Sequence, residues 1–470
     1  MKLPFRVGRW SRSPERVALG FAVGAFLFLL PGPGLVVLEV PSTPYTRPLL
    51  ALFGAAVMLD ALVRTVLLEH PSRKLSFILA FFEALLGVVL WTAYLRDPPT
   101  GMAVAASALL FSVEALVDAA AGRQLGRRRP RAFASQGVLS ADLPEFGHWH
   151  PVAQIDALRE GPLGVQVAGH RLVVFEEAPG QVAALDDRCP HRGMALSQGC
   201  IRDGRVQCAY HGWQFDADGA GHCPSQPTMK PRTRAWEARI DRGLVWVRSQ
   251  GSTSTFPSFD TEGYRFAGTL EYLAPAPLEL VLDNFAEIEH HGHVHGLFGY
   301  GPDASVDMHP RVELEERTVA VFNEGPQKPV PLWARWVFGV SGRDRFENDW
   351  VLHFSPVHGI YEQRWRNHSG SRVGDETRYG VFFTPTSASE TQIFVLVFIR
   401  SPSRFDNPWL RPFVRLTLLG MVDHEIRRDL RALEGIVAPE RGLEGQQLDR
   451  FDRPLREARA RVKSIYRAGS

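Results

Sequence analysis

The sequence predicts a multi-domain chain, with an all-α domain of membrane-spanning helices, then an all-β domain, then an α+β domain. The chain has 470 residues, and at roughly 150 residues per domain this length suggests about three domains. Long apolar segments are concentrated in the first quarter of the chain. Short strand-like runs follow, and a long helical run comes late, at residues 422–435. These three observations give the order of the domains.

The composition excludes several classes of protein. Lys and Arg number 53 against 51 Asp and Glu, a net charge of +2, so no nucleic-acid partner is expected. Four cysteines in a chain of this length cannot form a disulfide scaffold. With 42 Gly and 34 Pro spread along the chain, neither collagen-like repetition nor wholesale disorder fits. A folded, multi-domain protein remains.

Four apolar segments in residues 1–131 predict four transmembrane helices, at 17–40, 48–68, 75–95 and 101–121. A helix needs about 20 apolar residues to cross a bilayer, and backbone in lipid must satisfy its own hydrogen bonds. The first segment reaches that length only by continuing through its Pro-Gly interruption at 31–34. A cleaved signal peptide is the competing interpretation, but no small-x-small cleavage site follows.

Basic residues around these segments predict their orientation. Only Arg47 and Arg96 flank the segments on one side. The other side carries Lys2, Arg6, Arg9, Arg12, Arg16, Arg73, Lys74, Arg123, Arg127, Arg128, Arg129 and Arg131. Cytoplasmic loops hold the Lys and Arg excess, so a multi-pass protein of the inner membrane is expected, with its N-terminus and its later domains in the cytoplasm. Glu83 and Glu114 lie within the spans, where they either pair structurally or mark a functional site.

After a linker at 132–145, the domain at 146–250 begins with strand-like runs at 171–175 and 182–185. It then carries a C-x-H pattern, Cys189 and His191, and a C-x2-H pattern, Cys208 and His211. Two thiolates and two imidazoles could bind zinc, although zinc sites normally show C-x2-4-C pairs. A glycine follows closely in each loop, and would let the backbone approach a bound group.

This spacing closely resembles the Rieske [2Fe–2S] motif. The resemblance implies that Cys189 and Cys208 hold one iron while His191 and His211 hold the other, which raises the reduction potential. Respiratory Rieske proteins join two further cysteines in a disulfide. Here Cys200 and Cys223 lie farther from the ligands and in a compartment expected to be reducing. The sequence therefore resembles the oxygenase branch of the family, and both cysteines are expected to be reduced packing residues.

A second segment, at 283–295, resembles the N-x2-D-x2-H-x4-H motif of Rieske non-haem iron oxygenases. The resemblance implies that His290 and His295 bind a mononuclear Fe(II), with Asp429 as the third ligand on the late helix. Two imidazoles and one carboxylate leave positions open for O2 and substrate. The alternatives are His291 and His293 among the histidines, and Asp423 and Glu425 among the carboxylates, although charged residues on a helix usually form a solvated face.

Glu287 stands where the family motif normally has Asp. In the family this carboxylate is hydrogen-bonded between a cluster histidine and an iron histidine of neighbouring subunits. Such a group orients both rings and couples the two metals. Glutamate is one methylene longer, so we expect the bridge to persist with a modest shift. The same resemblance implies a homotrimer, because the bridge requires a neighbouring subunit.

The last domain, 251–470, has strand-like runs at 312–314, 318–322, 349–354 and 391–398 before its long helix. This order agrees with the helix-grip catalytic domain of the same family, whose sheet and helix enclose a substrate cavity. The resemblance extends over roughly residues 146–467 and leaves the first 130 residues without a recognised family.

Together these features predict a membrane-anchored Rieske oxygenase that hydroxylates or oxidatively demethylates a lipophilic substrate, as a monooxygenase rather than a dioxygenase. The chain contains neither a G-x-G-x-x-G fingerprint on a strand-to-helix turn nor C-x4-C-x2-C spacing. NAD(P)H is therefore expected to act through a separate reductase, with or without a ferredoxin. The alternative is a membrane-bound Rieske electron carrier with a degenerate second site. A third possibility is that the membrane domain is itself a transporter or quinone site.

Overall fold

The computed structural model describes residues 143–296, 298–301, 303, 308–330, 338–401, 411–436, 443 and 445–468. The chain divides into two units, 1–135 and 136–470, and all of these residues belong to the second. Within the described ranges, no helix is long and apolar enough to cross a membrane. The four predicted spans, with Glu83 and Glu114, lie outside the described residues, so the membrane domain and its orientation stay predictions.

The first described domain contains two antiparallel sheets. The larger has the strand order β1-β10-β9-β4-β3-β2 and comprises β1 His150–Gln154, β2 Leu163–Val167, β3 His170–Ala178, β4 Gln181–Asp186, β9 Ala235–Asp241 and β10 Leu244–Ser249. The smaller has the order β5-β6-β7-β8 and comprises β5 Cys200–Arg202, β6 Arg205–Gln207, β7 Gln214–Phe215 and β8 Gly221–His222. Val173 and Phe175 of β3 and Leu185 of β4 share one apolar core with Val206 and Phe215 of the smaller sheet.

The second described domain is built on an eight-stranded antiparallel sheet with the order β11-β18-β17-β16-β15-β13-β12 and with β14 paired to β15. Its strands are β11 Arg265–Ala274, β12 Arg311–Leu314, β13 Thr318–Phe322, β14 Glu324–Pro326, β15 Arg345–Phe354, β16 Val357–Arg366, β17 Arg372–Pro385 and β18 Thr391–Arg400. Its helices are α1 Leu278–Ala286, α2 Arg411–Glu434 and α3 Arg453–Arg461. The predicted order, an all-β domain followed by a strand-rich domain with a late helix, is confirmed.

Helices α1, α2 and α3 contribute to one apolar core with this sheet. Helix α2 begins eleven residues before the predicted helical run, because its first half is apolar and packs on the sheet. Leu419 of α2 lies against Gly268 of β11, where a Cβ atom would come within 2.9 Å of the leucine side chain. The close packing of α2 on β11 sets the distance between this helix and the strands that face it.

The two domains share a further apolar cluster. Trp246 of the first domain meets Phe382 of the second edge-to-face, with ring centroids 4.9 Å apart. Trp149 and Leu244 extend the cluster on one side, and Phe394 extends it on the other. Aromatic contacts of this geometry add to the stabilisation from burial alone. The interface is therefore part of the folded core.

Candidate metal centres

Two loops of the first described domain carry the predicted cluster ligands. Both loops are closed by the same pattern of backbone hydrogen bonds. The N–H of Cys189 donates to the Met194 carbonyl at 2.8 Å, and that of Cys208 donates to the Trp213 carbonyl at 2.8 Å. Gly193 and Gly212 close the two turns at φ values of 74° and 71°, a left-handed conformation that glycine adopts without steric cost. The repeated C-x-H and C-x2-H pattern thus folds into two matching turns.

The thiols and the imidazoles of these turns lie in different surroundings. Cys189 and Cys208 are buried, and burial, with a smaller effect of the neighbouring Cys208 thiol, raises the pKa of Cys189 to about 11. His191 and His211 are exposed, with ring centroids 4.5 Å apart. The His191 ring stacks on Trp213 at 4.6 Å and 3° between planes. Two adjacent buried thiols below two paired exposed imidazoles fit a [2Fe–2S] cluster ligated by two cysteines and two histidines.

The two other cysteines do not contribute to these turns. All four cysteines are free thiols, as expected for Cys200 and Cys223. Cys223 is buried and its Sγ atom lies 3.3 Å from the Ser225 hydroxyl, but Cys200 is exposed on β5. The expectation that both are packing residues is therefore wrong for Cys200, because its strand has only three residues and turns this side chain to solvent.

The second predicted centre forms where the chain leaves α1 and turns towards α2. The Nε2 atoms of His290 and His295 lie 3.1 Å apart. Each of them lies 3.5 Å from Oδ1 of Asp429, on α2. Ligand atoms about 2.1 Å from one metal at right angles are about 3 Å apart. The structure thus brings His290, His295 and Asp429 together at the spacing that a two-histidine, one-carboxylate metal site requires.

Two further carboxylates orient the imidazoles. Nδ1 of His290 donates to Glu287, and Nδ1 of His295 donates to Glu425 at 2.8 Å. Both Nε2 atoms therefore keep their lone pairs for the space in front of Asp429. Oδ1 of Asp429 is buried and has no hydrogen-bond partner in the described part of the chain, which is what a metal ligand awaiting its ion would show.

Burial and nearby charges act in opposite directions on the pKa values of the ionisable groups in this site. Burial raises the pKa of Asp429, although His295 and His290 act against that rise. Burial is the largest influence on His290 and lowers its pKa, but the hydrogen bond to Glu287 and the charges of Glu287 and Asp429 together raise that pKa above its usual value. A divalent cation between the three side chains would balance the buried carboxylate. The donor set therefore fits Fe(II) and leaves open coordination positions.

His291 is a competing third ligand, because nitrogens of His290, His291 and His295 all lie within 4.8 Å of one another. The His291 ring, however, stacks on Tyr300, with ring centroids 6.1 Å apart. Asp429 lies at the same distance, 3.5 Å, from both Nε2 atoms and has an unpartnered oxygen, so the carboxylate is the better candidate for the third ligand. His293 is exposed.

The two alternative carboxylates have other partners. Asp423 is buried, accepts a hydrogen bond from the Tyr272 hydroxyl at 2.7 Å, and pairs with Arg427 at 2.9 Å. Glu425 orients His295 and accepts from the Gly296 N–H at 3.1 Å. This orienting role was missed by sequence reasoning, although a signal existed. Residues four apart share one face of a helix, so Glu425 must lie beside Asp429.

A cavity opens beside the three ligands, with about 980 Å³ of empty space that is partly open to solvent. Its wall is mainly aromatic and aliphatic, as in most small-molecule sites. Side chains of β15, β16 and β17 face α2 across it. Glu287, Glu425 and Asp429 line its metal end. The arrangement can hold a mostly apolar molecule next to a metal with open coordination positions.

Comparison with known proteins assigns both described domains. Residues 148–250 match the Rieske [2Fe-2S] domain, and residues 274–465 match the vanillate O-demethylase oxygenase C-terminal domain. A vanillate O-demethylase oxygenase subunit of Pseudomonas sp. (strain ATCC 19151) is 31% identical over 216 residues, 43% of this chain and 65% of the relative. Methylxanthine N1-demethylase NdmA of Pseudomonas putida is 31% identical over 177 residues, 34% of this chain and 50% of the relative.

These alignments span less than two thirds of each relative's own length. Among solved structures, dicamba monooxygenase bound to 3,6-dichlorosalicylic acid has a TM-score of 0.60 at 20% identity, covering 70% of this chain and 99% of that one. NdmA of Pseudomonas putida CBB5 with caffeine has a TM-score of 0.53 at 19% identity, covering 69% and 90%. The two-domain fold is thus shared with known structures.

Proposed function

Since both described domains are those of the Rieske non-haem iron oxygenases, we propose that this protein is a monooxygenase that hydroxylates or oxidatively demethylates its substrate. It uses O2 and electrons that originate from NAD(P)H and arrive through a separate reductase, with or without a ferredoxin. The observation that carries the proposal is the convergence of His290, His295 and Asp429 at one end of a cavity. A pure electron carrier needs no such convergence beside a substrate-sized space.

When bound, Fe(II) would supply open coordination positions for O2, and the cluster would supply single electrons. The protein's own side chains position the metal ligands and the substrate. Glu287 and Glu425 hold the Nδ1 protons of the two histidines, which keeps each Nε2 free for the metal. The apolar wall of the cavity holds the substrate and limits the access of water, which protects a reactive site from side reactions.

Glu287 has a second part in this proposal. One of its oxygens accepts from His290 Nδ1, and the other accepts from the backbone N–H of Glu289 and, at 3.3 Å, from the backbone N–H of His290. We infer that the longer side chain still reaches a cluster histidine of a neighbouring subunit in a homotrimer, as the family's aspartate does. The contact with His290 supports this role, because one end of the bridge is already formed within the chain.

The membrane domain and the substrate class belong to the same proposal. The apolar segments within residues 1–131 and their flanking charges support a multi-pass anchor with the catalytic domains in the cytoplasm. A membrane anchor on the same chain, together with the aromatic wall of the cavity, favours a lipophilic substrate taken up from the membrane. Turnover of water-soluble aromatic acids alone would count against this part.

Iron analysis separates the oxygenase from a Rieske electron carrier. The oxygenase holds three irons per chain, two in the cluster and one at His290, His295 and Asp429, whereas a carrier holds two. We expect His290→Ala to lose one iron and all substrate-dependent oxygen consumption, while the visible spectrum of the cluster is retained. Two irons per chain in the wild-type protein as purified and after anaerobic incubation with Fe(II) would refute the proposal.

A further inference from the structure

The wall of the cavity formed by the sheet is ordered in rows, because facing residues of neighbouring antiparallel strands lie side by side. Their pairing across β15, β16 and β17 gives an aromatic row Phe346–Trp365, a polar row Asn348–Gln363–Thr377 and a second aromatic row Trp350–Tyr361–Tyr379. All eight side chains line the cavity. A polar stripe therefore lies between two aromatic stripes.

Two atoms of this wall are buried without a hydrogen-bond partner among the described residues, namely Oδ1 of Asn348 and Nε1 of Trp350. Both residues are only 2% exposed. They are two positions apart on β15, so their side chains leave the strand on the same face. Buried polar groups are nearly always paired, and leaving them unpaired costs free energy. An unpaired acceptor beside an unpaired donor indicates a place for a ligand group.

The neighbours of this pair have their hydrogen bonds within the protein. The Tyr361 hydroxyl donates to the Phe285 carbonyl at 2.7 Å, and the Tyr379 hydroxyl donates to Gln363 at 3.1 Å. The Tyr361 ring lies nearly parallel to Trp350 at a centroid distance of 6.0 Å. Oδ1 of Asn348 and Nε1 of Trp350 are thus the buried polar atoms of these two rows that have no hydrogen-bond partner among the described residues.

The charged side chains that line the cavity restrict what can bind. The charged side chains that line its described part are the carboxylates of Glu287, Glu425 and Asp429. With a divalent cation bound, two of these three negative charges are balanced. A substrate carboxylate would meet like charge in a poorly hydrated space, where such repulsion is strong.

We propose that Asn348 and Trp350 form a binding subsite for an uncharged group that both donates and accepts a hydrogen bond, such as a hydroxyl or a carboxamide. The subsite selects neutral, otherwise apolar substrates over carboxylates. This inference rests on the proposed function only in calling the ligand a substrate, since the subsite is defined by binding.

The test compares three ligands with one ring system. Naphthalene has no polar group, 2-naphthol carries a neutral hydroxyl, and 2-naphthoate is ionised at pH 7. Equilibrium dialysis of the full-length, metal-loaded protein without O2 or reductant measures binding apart from turnover. We expect 2-naphthol to bind at least tenfold more tightly than either of the other two ligands.

Single substitutions test whether Asn348 and Trp350 cause the preference for 2-naphthol. Asn348→Leu removes the acceptor with a side chain of similar size, and Trp350→Phe removes the donor but keeps an aromatic ring. In each variant the advantage of 2-naphthol over naphthalene should therefore shrink to less than threefold. Gln392→Leu is the control, because its amide is buried in the same sheet but donates to Glu271 at 2.8 Å, outside the cavity wall. The control should keep the full preference.

Three results would overturn the subsite: no saturable binding of 2-naphthol, equal or tighter binding of 2-naphthoate, or an undiminished preference in both variants. The His290→Ala protein separates this failure from failure of the proposed function. Its 2-naphthol preference should survive although its oxygen consumption is lost. If the wild-type protein showed the preference but held only two irons, the subsite would stand and the oxygenase proposal would fall.

Discussion

Glu425 accepts a hydrogen bond from Nδ1 of His295 at 2.8 Å and so repeats on one imidazole what Glu287 does on the other. Each histidine of the candidate iron site is therefore held by its own carboxylate. The two carboxylates come from different parts of the chain, one directly after α1 and one on α2. A change at either side chain should act through the ring that it holds.

The first prediction concerns Glu425. Glu425→Gln should weaken Fe(II) binding by about 10- to 100-fold, because an amide oxygen is a weaker acceptor for His295 than the negatively charged carboxylate that now orients the ring. Competition with a metal indicator on the anaerobic apoprotein measures this affinity. Glu434→Gln, an exposed change at the end of the same helix, is the control. Equal affinity in both variants would mean that Glu425 does not position His295.

The second prediction separates the two buried aspartates of α2. Asp429→Asn should lower the iron content from three per chain to two and leave the cluster spectrum intact. Asp423→Asn should keep three irons but lose about 1–3 kcal/mol of stability, because it weakens the buried contacts to Tyr272 and Arg427. Iron assay and thermal unfolding test both. The opposite pattern would make Asp423 the ligand.

The third prediction addresses electron transfer between the two centres. Glu287→Gln should slow single-turnover transfer from the reduced cluster to the iron by about tenfold or more, because the amide cannot accept from both rings as the carboxylate can. Stopped-flow bleaching of the cluster gives the rate. Glu289→Gln is the control, because the His290 ring donates to Glu287 and the Glu289 backbone N–H is unaffected by the substitution. An unchanged rate in Glu287→Gln would end the bridging role.

The fourth prediction is a pH dependence of stability. Burial lowers the pKa of His358 to about 3, whereas an unfolded histidine titrates near 6.5. The contribution of His358 to the free energy of unfolding is therefore complete above pH 6.5 and is lost as the pH falls towards 3. Over that range the unfolded chain binds a proton at this histidine that the folded chain excludes. Between pH 7 and 5 this amounts to about 2 kcal/mol.

His358→Gln should remove that part of the pH dependence, as denaturant titrations at pH 7 and pH 5 would measure. His368→Gln is the matched control, because His368 is exposed. If both variants lost stability on acidification as steeply as the wild-type protein, the decline would originate elsewhere in the chain.

The candidate metal ligands could be selected from the sequence because few residue types bind iron and their spacing is local. The segment that contains His290 and His295 fits within one turn and loop, and Asp429 followed from a resemblance. Glu425 was named only as an alternative ligand. Its actual role depends on which face of α2 meets the histidine loop, and that face is set by packing such as Leu419 on Gly268.

Strands β16 and β17 were not predicted, and the polar row that they carry was missed with them. Their solvent-side residues are charged. Arg364 bonds to Glu347 and Asp349 on β15, and such cross-strand pairs replace the apolar alternation that sequence reasoning looks for. The alignment of Asn348 with Gln363 and Thr377 depends on strand register, which no local pattern in these segments specifies.

The shared core between the two described domains bears on how the protein can be divided. A fragment that ended at residue 250 would leave Trp149 and Trp246 uncovered, because Phe382 and Phe394 lie in the other domain. Exposed apolar surface of that kind favours aggregation. The two metal-binding domains should therefore melt in a single cooperative transition. Spectroscopic studies of the cluster alone will require the catalytic domain to be expressed with it.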